Sequence, residues 1–212
     1  MSLKAILWDN DGVLVDTEHL YFEACARALA EVGFELTREA YIEASLTQGT
    51  SVSDLAGLSA GEHERFRTVR NALYAELLEQ GGLIIPGAED TLEALRARVR
   101  MMIVTSSRRD HFRIIHETTG LLRYFESVVD NEDYERSKPN PDPYLEGLAR
   151  LNLGAEDCIA VEDSVRGMTA ANRAGLRCVV VPNALTRDAG FSGAYRVLKD
   201  VRDVLGVVEE LL

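Results

Sequence analysis

The sequence predicts an α/β fold in which a parallel, doubly wound sheet carries an inserted unit made only of helices. Short apolar runs alternate with amphipathic helical patterns over most of the 212 residues, which is typical of a parallel sheet covered by helices on both faces. Between about residues 18 and 81 this alternation stops, and the patterns are all helical. The sequence therefore predicts an α/β core, residues 1–15 and 84–212, and a helical cap domain, residues 16–83.

The first predicted strand is the short apolar run from Lys4 to Trp8, which ends abruptly in acidic residues. Asp9 and Asp11 follow it, and side chains two apart on an extended segment point the same way. Two carboxylates held so close are tolerable if a cation lies between them or if one of them stays protonated. An ordinary Asp-Gly turn would explain Asp11 and Gly12 but not Asp9.

The predicted cap contains three helices. Apolar residues recur at helical spacing over residues 20–32, and a second helix is expected over about residues 37–46. A polar break over residues 47–54 precedes a long amphipathic helix over residues 60–80. The two glycines at 81–82 end that helix and return the chain to the core.

The rest of the chain alternates strands and helices. Further buried strands are predicted at residues 100–104, 127–129, 158–161 and 179–181. Helices are predicted at residues 87–98 and 110–119, after Pro141, between Ser164 and Gly175, and within residues 198–212. This order predicts a doubly wound, Rossmann-like sheet.

Polar groups follow three of the predicted strands. They are Asp9 and Asp11, Thr105 and Ser106, and Glu162 and Asp163. In an open parallel sheet the carboxyl ends of neighbouring strands share one crevice, so these groups are expected to converge. Four carboxylates make an oxygen-rich site of the kind that Mg²⁺ prefers. Alternatively, Glu162 and Asp163 only complement a helix dipole, and Ser164 only caps that helix.

Two further features are suited to a phosphate group. Thr105 and Ser106 offer a hydroxyl and backbone N–H groups at a strand-to-helix turn, although they could instead cap the helix near Asp110. Lys138 is a cation in a proline-flanked loop, where it could neutralise a phosphate and a carboxylate. The alternative is an ordinary solvated loop lysine.

The composition indicates which partners and which cellular compartment are expected. There are 23 Lys and Arg residues against 35 Asp and Glu, a net charge of −12, so nucleic acid and anionic membranes are not expected as partners. The three cysteines, Cys25, Cys158 and Cys178, have no redox or metal-ligand spacing and are expected to be core thiols in a reducing cytoplasm. No apolar run approaches the ~18 residues of a membrane span. Both a monomer and a homodimer are compatible with the sequence.

The four motifs together resemble the haloacid dehalogenase superfamily, in the subgroup with a helical cap after the first strand that includes β-phosphoglucomutase and phosphoglycolate-type phosphatases. The matching motifs are DNDGVLVDTE at residues 9–18, IVTSS at 103–107, SKPNPDPYL at 137–145 and VEDSVRGMTAANRAG at 161–175. Their order and spacing cover nearly the whole chain. The resemblance is highly specific for the fold and much less so for the substrate.

The resemblance implies catalytic and metal-binding roles for the carboxylates. Asp9 resembles the nucleophile that forms an aspartyl-phosphate, and Asp11 resembles the general acid that protonates the leaving alkoxide and then activates water. Mg²⁺ would be bound by the carboxylates of Asp9 and Asp163 and by the backbone carbonyl of Asp11. Glu162 would support these ligands.

The resemblance also implies a binding site for the transferring phosphoryl group. Thr105 and Lys138 would hold it, with help from the backbone N–H groups of Asn10 and Ser106. Asn10 is a departure, since the family usually has an apolar or aromatic residue there, and its side chain is expected to point away from the site. The four histidines are expected at helix surfaces or helix starts, and none is predicted to be catalytic.

The predicted activity is hydrolysis of a small phosphomonoester, such as a sugar, polyol or glycolate phosphate. A sugar-phosphate mutase is the alternative, but the cap positions that carry cations in β-phosphoglucomutase correspond here to Tyr21, Gln48 and Val52. Tyr21, Gln48, Gly49 and Thr50 are the cap residues expected to contact the substrate. Their uncharged polarity favours recognition of hydroxyl groups over recognition of a second anion.

Two other functions fit the sequence less well. A 2-haloacid dehalogenase lacks the second aspartate and needs no Mg²⁺, whereas this chain has Asp11. A non-catalytic module that only binds a phosphorylated ligand would be expected to have lost a motif residue, and none is lost.

Overall fold

A parallel six-stranded sheet forms the centre of the computed structural model, which describes residues 2–212. Its strands are β1 Ala5–Trp8, β2 Arg100–Val104, β3 Ser127–Val129, β4 Cys158–Glu162, β5 Arg177–Val180 and β6 Arg196–Val197. The strand order is β3-β2-β1-β4-β5-β6, so β1 lies between β2 and β4. The predicted fold class is confirmed.

Helices cover both faces of the sheet. They are α4 Ala88–Leu95, α5 Arg109–Thr119, α6 Asp142–Leu151, α7 Val165–Arg173 and α8 Val204–Leu211. Ile6 and Trp8 of β1 face the apolar layer that includes α4, α5 and α8, whereas Ala5 and Leu7 face the layer that includes α6 and α7. Because all four side chains are fully buried, β1 carries an uninterrupted apolar run, as a strand covered on both faces requires.

The cap elements lie between β1 and α4. They are α1 Glu18–Ala30, α2 Arg38–Tyr41, a π-helix over Ile42–Gln48, a 3₁₀-helix over Val52–Ala56 and α3 Ala60–Leu78. Their own apolar cluster includes Leu29, Tyr41 and Phe66. Where the chain leaves and re-enters the core, the Asp16 N–H donates to the Leu83 carbonyl over 2.8 Å. We therefore propose the division into residues 1–15 with 84–212 and residues 16–83.

The structure differs from the sequence prediction in several elements. The helix expected over residues 37–46 is a short α2 followed by the π-helix, which ends at Gly49 in a left-handed conformation. Strand β6 was not predicted, because its two residues are exposed and form no apolar run. Helix α4 ends at Leu95 and not near Arg98.

The structure shows the environment of the three cysteines and the character of the helices. Cys25, Cys158 and Cys178 are free thiols in buried positions, as expected for core cysteines. Within residues 2–212 the structure contains no helix with the length and apolar character needed to span a membrane.

Candidate active site

The carboxyl ends of β1, β2 and β4 border a cavity of about 390 Å³ between the core and the cap. Asp9 and Asp11 follow β1, Ser106 follows β2, and all three line this cavity together with Lys138. The strand ends meet here because adjacent parallel strands end at the same edge of a sheet. The structure thus brings together groups that are distant in sequence.

Lys138 connects all three of these strand ends. Its Nζ atom donates to Asp9 Oδ1 over 2.8 Å and to Glu162 Oε1 over 2.7 Å, and a third bond of 2.9 Å reaches the Val104 carbonyl. The side chain is only 2% exposed, so it is not a solvated loop lysine. Burial alone would lower the pKa of Lys138, but Asp9 and Glu162 outweigh burial and raise it. The ammonium group is therefore a fixed positive charge beside Asp9.

Asp9, Glu162 and Asp163 form a buried acidic cluster. Each offers a carboxylate oxygen, and these oxygens all lie within 4.8 Å of one another. Burial raises the pKa of Asp9 to about 8, with Glu162 adding to the effect and Lys138 opposing it. Burial and the Glu18 carboxylate raise the pKa of Asp163 well above its usual value. These carboxylates repel one another and offer only oxygen ligands, so the cluster suits a hard divalent cation.

Gly12 allows the chain to turn against this cluster. Its φ is +82°, and an added Cβ would lie 2.3 Å from Asp163 Oδ2 and 2.6 Å from Asn183 Nδ2. Asn183 donates to Asp163 Oδ2 over 2.7 Å, a contact that no sequence motif indicated. Glycine is required here both for its backbone conformation and for its lack of a side chain.

The Asp11 side chain lies outside the acidic cluster and accepts hydrogen bonds from several hydroxyl groups. Thr17 Oγ1 donates to Asp11 Oδ1 over 2.6 Å. Ser107 Oγ and Thr105 Oγ1 donate to Oδ2 over 2.7 Å and 3.1 Å. The hydroxyl of Thr105, predicted to hold a phosphoryl group, is therefore bonded to Asp11. The contribution of Thr17 and Ser107 was not anticipated.

The four predicted cap residues divide into two groups. Tyr21, Gly49 and Thr50 line the cavity, whereas the Gln48 amide donates to Glu43 Oε1 over 2.7 Å and is not among the lining residues that the structure describes. A Cβ at Gly49 would lie 2.9 Å from the Lys138 carbonyl oxygen. The cap loop therefore touches the segment that carries Lys138.

Among the described residues four arginines line the cavity, and sequence reasoning predicted none of them as a site residue: Arg67, Arg70, Arg108 and Arg166. The Nε atom of Arg166, in α7, is buried without a hydrogen-bond partner among the described residues. The Nη1 atom of Arg70, in α3, donates to the Tyr21 hydroxyl over 2.5 Å. Arg70 lies four residues after Phe66, on the face of α3 that the apolar periodicity buries.

Two of the four histidines are buried; His111 lies in the first turn of α5, as expected, but His116 corrects the expectation of a helix surface or helix start. The His111 ring is 4% exposed and packs edge-on against Tyr74 at 5.0 Å between ring centroids. The His116 ring is 6% exposed, and its Nε2 atom lies 2.8 Å from Asn10 Oδ1. The Asn10 oxygen is thus directed toward α5, but its Nδ2 atom donates to Asp11 Oδ2 over 3.3 Å, which corrects the expectation that this side chain points away from the site.

His116 should make protein stability depend on pH. Burial lowers its pKa from 6.5 to about 4. Between these values the unfolded chain binds a proton that the folded chain does not, so the free energy of unfolding should rise with pH. For this one group the rise is about 3 kcal/mol across the window. Chemical denaturation at pH 4.5 and pH 7 should show a smaller rise for His116→Gln than for the wild type.

The control for this measurement is His19→Gln, because the His19 side chain is 55% exposed. This variant should keep the pH dependence of the wild type. If His116→Gln also keeps it, the His116 ring does not titrate as its burial implies.

Comparisons with known proteins identify the family. The family model for haloacid dehalogenase-like hydrolases matches residues 6–181. The chain is 30% identical to protein CbbY of Cereibacter sphaeroides, over 97% of this chain and 95% of that protein. It is 29% identical to a phosphorylated carbohydrates phosphatase of Thermotoga maritima, over 99% and 100%. The crystal structure of CbbY from Rhodobacter sphaeroides with phosphate superimposes with a TM-score of 0.81 at 27% identity, covering 95% of this chain and 96% of that one. The chain therefore belongs to the haloacid dehalogenase-like hydrolase family and is an enzyme.

Proposed function

We propose that this enzyme is a Mg²⁺-dependent phosphatase that hydrolyses a small phosphorylated metabolite, a sugar, polyol or glycolate type phosphate monoester, through an aspartyl-phosphate on Asp9. The observation that carries the proposal is the buried contact of 2.8 Å between Lys138 Nζ and Asp9 Oδ1 at the wall of the cavity. A nucleophilic carboxylate needs a positive charge beside it when it meets an anionic phosphoryl group.

The proposed reaction has two steps. In the first, a carboxylate oxygen of Asp9 attacks phosphorus in line with the leaving oxygen, and the P–O bond to the substrate breaks as Asp11 gives its proton to the alkoxide. In the second, Asp11 takes a proton from water, the resulting hydroxide attacks phosphorus, and the bond to Asp9 breaks. Phosphate leaves, and both carboxyl groups return to their starting states.

Other residues of this chain would hold the phosphoryl group and Asp11 in place. All three N–H groups of Lys138 are already used, so Lys138 would transfer the hydrogen bond that it gives Asp9 to a phosphoryl oxygen. The backbone N–H groups of Asn10 and Ser106 would add further hydrogen bonds. The Thr105 hydroxyl donates to Asp11. We therefore propose two roles for Thr105: it orients Asp11, and it helps to bind the phosphoryl group.

Enzymes of this family generally use a divalent metal, and the buried acidic cluster fits one. We propose that Mg²⁺ is bound by the carboxylates of Asp9 and Asp163 and by the backbone carbonyl of Asp11, with Glu162 supporting them. When bound, the ion supplies positive charge that stabilises the equatorial oxygens in the transition state. Glu162 also accepts a hydrogen bond of 2.5 Å from the Tyr144 hydroxyl, which fixes its orientation.

The cavity limits the substrate to a small molecule, because about 390 Å³ is near the lower end of ligand pockets. Tyr21 and Thr50 line the cavity, and we propose that their hydroxyl groups contact the part of the substrate that does not react. This agrees with a sugar or polyol phosphate. The phosphatase of Thermotoga maritima is named for phosphorylated carbohydrates.

A sugar-phosphate mutase is the second candidate, and the cavity-lining guanidinium groups of Arg70 and Arg166 favour it. A mutase must bind a second phosphate through the cap side of its site, where Arg70 of α3 supplies positive charge, while Arg166 of α7 supplies it from the core. Against it, the cations found in β-phosphoglucomutase are replaced here by Tyr21, Gln48 and Val52. We therefore rank hydrolysis first.

We further propose a cytoplasmic enzyme, either a monomer or a homodimer, that binds neither nucleic acid nor a membrane surface. Three buried free thiols suit a reducing compartment. A net charge of −12 disfavours polyanionic partners.

Phosphate release from a panel of metabolites tests the proposed activity. Sugar phosphates, glycerol phosphate, phosphoglycolate and sugar bisphosphates should be incubated with Mg²⁺ or with EDTA. We expect release from a few monophosphates and a loss of at least about 100-fold in EDTA. Glucose 1-phosphates with a bisphosphate primer should be included, because isomerisation with little free phosphate would mean a mutase. Undiminished release in EDTA would contradict the metal requirement.

A further inference from the structure

A buried hydrogen-bonded network lies behind the Asp11 carboxylate. His116 Nδ1 is 2.8 Å from Thr119 Oγ1, and His116 Nε2 is 2.8 Å from Asn10 Oδ1. Asn10 Nδ2 in turn donates to Asp11 Oδ2 over 3.3 Å. We refer to Thr119, His116, Asn10 and Asp11 as the His116 network. It connects helix α5 to the end of strand β1, and none of the roles assigned above uses its histidine.

The direction of each hydrogen bond follows from the donors present. The Asp11 end fixes the directions, because Asp11 Oδ2 accepts from the Asn10 NH₂ group over 3.3 Å. Asn10 Oδ1 then faces His116 Nε2, so a neutral ring must carry its proton on Nε2 and donate it to this oxygen. His116 Nδ1 is left as an acceptor, and the Thr119 hydroxyl donates to it.

We propose that His116 and Asn10 are positioning residues for the general acid: His116 fixes the Asn10 amide, and this amide orients the Asp11 carboxyl group toward the leaving oxygen. The inference rests on the proposed function, in which Asp11 protonates the leaving group. A general acid must lie within hydrogen-bond reach of the atom that it protonates, so a small misplacement lowers the rate. Thr105 and Ser107 donate to the same carboxylate oxygen, so losing the amide should reduce activity without abolishing it.

Two aryl phosphates separate this positioning role from a structural one. Phenolate needs protonation as it leaves, whereas p-nitrophenolate hardly does. Asn10→Leu and His116→Phe should lower kcat/KM for phenyl phosphate about tenfold and that for p-nitrophenyl phosphate less than about twofold. The comparison uses kcat/KM because it reports the steps up to departure of the leaving group and not the hydrolysis of the aspartyl-phosphate, which both substrates share. His116→Gln can still donate an N–H group to Asn10 and should retain most of the wild-type kcat/KM. The exposed control His19→Gln should match the wild type on both substrates.

Equal losses of kcat/KM on both substrates, or a kcat/KM for His116→Gln as low as that of His116→Phe, would overturn the proposal. If His116→Phe fails to fold, Asn10→Leu decides, because an apolar residue is usual at that position in the family.

Failure of the wild type to hydrolyse these phosphates and the metabolite panel would refute the proposed function instead. The protonation state and tautomer of the His116 ring can then still be measured by two-bond ¹H–¹⁵N spectra at pH 7. We expect a neutral ring with its proton on Nε2. A proton on Nδ1, or a charged ring, would overturn the inference whatever the activity.

Discussion

Asp9→Asn is expected to lower kcat by at least about 10⁴-fold, because an amide cannot attack phosphorus and no covalent intermediate forms. The substitution preserves the size of the side chain and an oxygen that can accept the hydrogen bond from Lys138. It also removes one of the three buried carboxylates that repel each other. The free energy of unfolding should therefore stay unchanged or rise, which separates loss of chemistry from loss of fold.

The matched control is Asp90→Asn, which alters an exposed carboxylate in the first turn of α4. Its turnover should equal that of the wild type within about twofold. Substantial residual turnover in Asp9→Asn, at a tenth of the wild-type kcat for example, would mean that Asp9 is not the nucleophile.

Lys138→Ala is expected to have the second largest effect, and it should impair both activity and stability. The variant leaves Asp9 and Glu162 buried without the cation that bonds to both. Breaking a buried ion pair by removing one partner costs about 3–5 kcal/mol. Because the charge acts in the ground state and in the transition state, kcat should fall about 100-fold and KM should rise.

Lys4→Ala serves as the control for this variant. Lys4 also bonds to an aspartate, Asp157, over 2.8 Å, but its side chain is 55% exposed. An exposed pair of this kind contributes less than about 1 kcal/mol, so thermal unfolding and kinetics should barely change. Similar small effects from both lysine variants would contradict the role assigned to Lys138.

The sheet and its polar strand ends could be predicted because local patterns specify them. The fully buried run from Ala5 to Trp8 can only be a strand covered on both faces, and Asp9 follows it directly. Once the strands are parallel, their carboxyl ends meet at one edge of the sheet, and the observed strand order places β4 next to β1. The contact of Lys138 with Asp9 agrees with the prediction that this lysine neutralises the attacking carboxylate, whereas its contact with Glu162 was not predicted.

The cavity wall was harder to predict, since side chains there come from elements whose relative placement no local pattern records. The sequence pattern predicts that Arg166 is an exposed helix residue. In the structure α7 packs beside the cap, and the Nε atom of Arg166 is buried. His116 reads as a surface histidine, but the depth of α5 against the sheet buries it. Gln48 reads as part of a substrate loop, whereas the π-helix directs its amide to Glu43.

Mass spectrometry of rapidly quenched enzyme tests the central claim most directly. Wild-type protein should be mixed with a monophosphate that the panel identifies and quenched in acid within the first turnover. We expect one added phosphoryl group on the peptide that contains Asp9, absent from Asp9→Asn. An unmodified Asp9 peptide throughout turnover, or a phosphoryl group on another residue, would contradict the aspartyl-phosphate mechanism proposed for this enzyme.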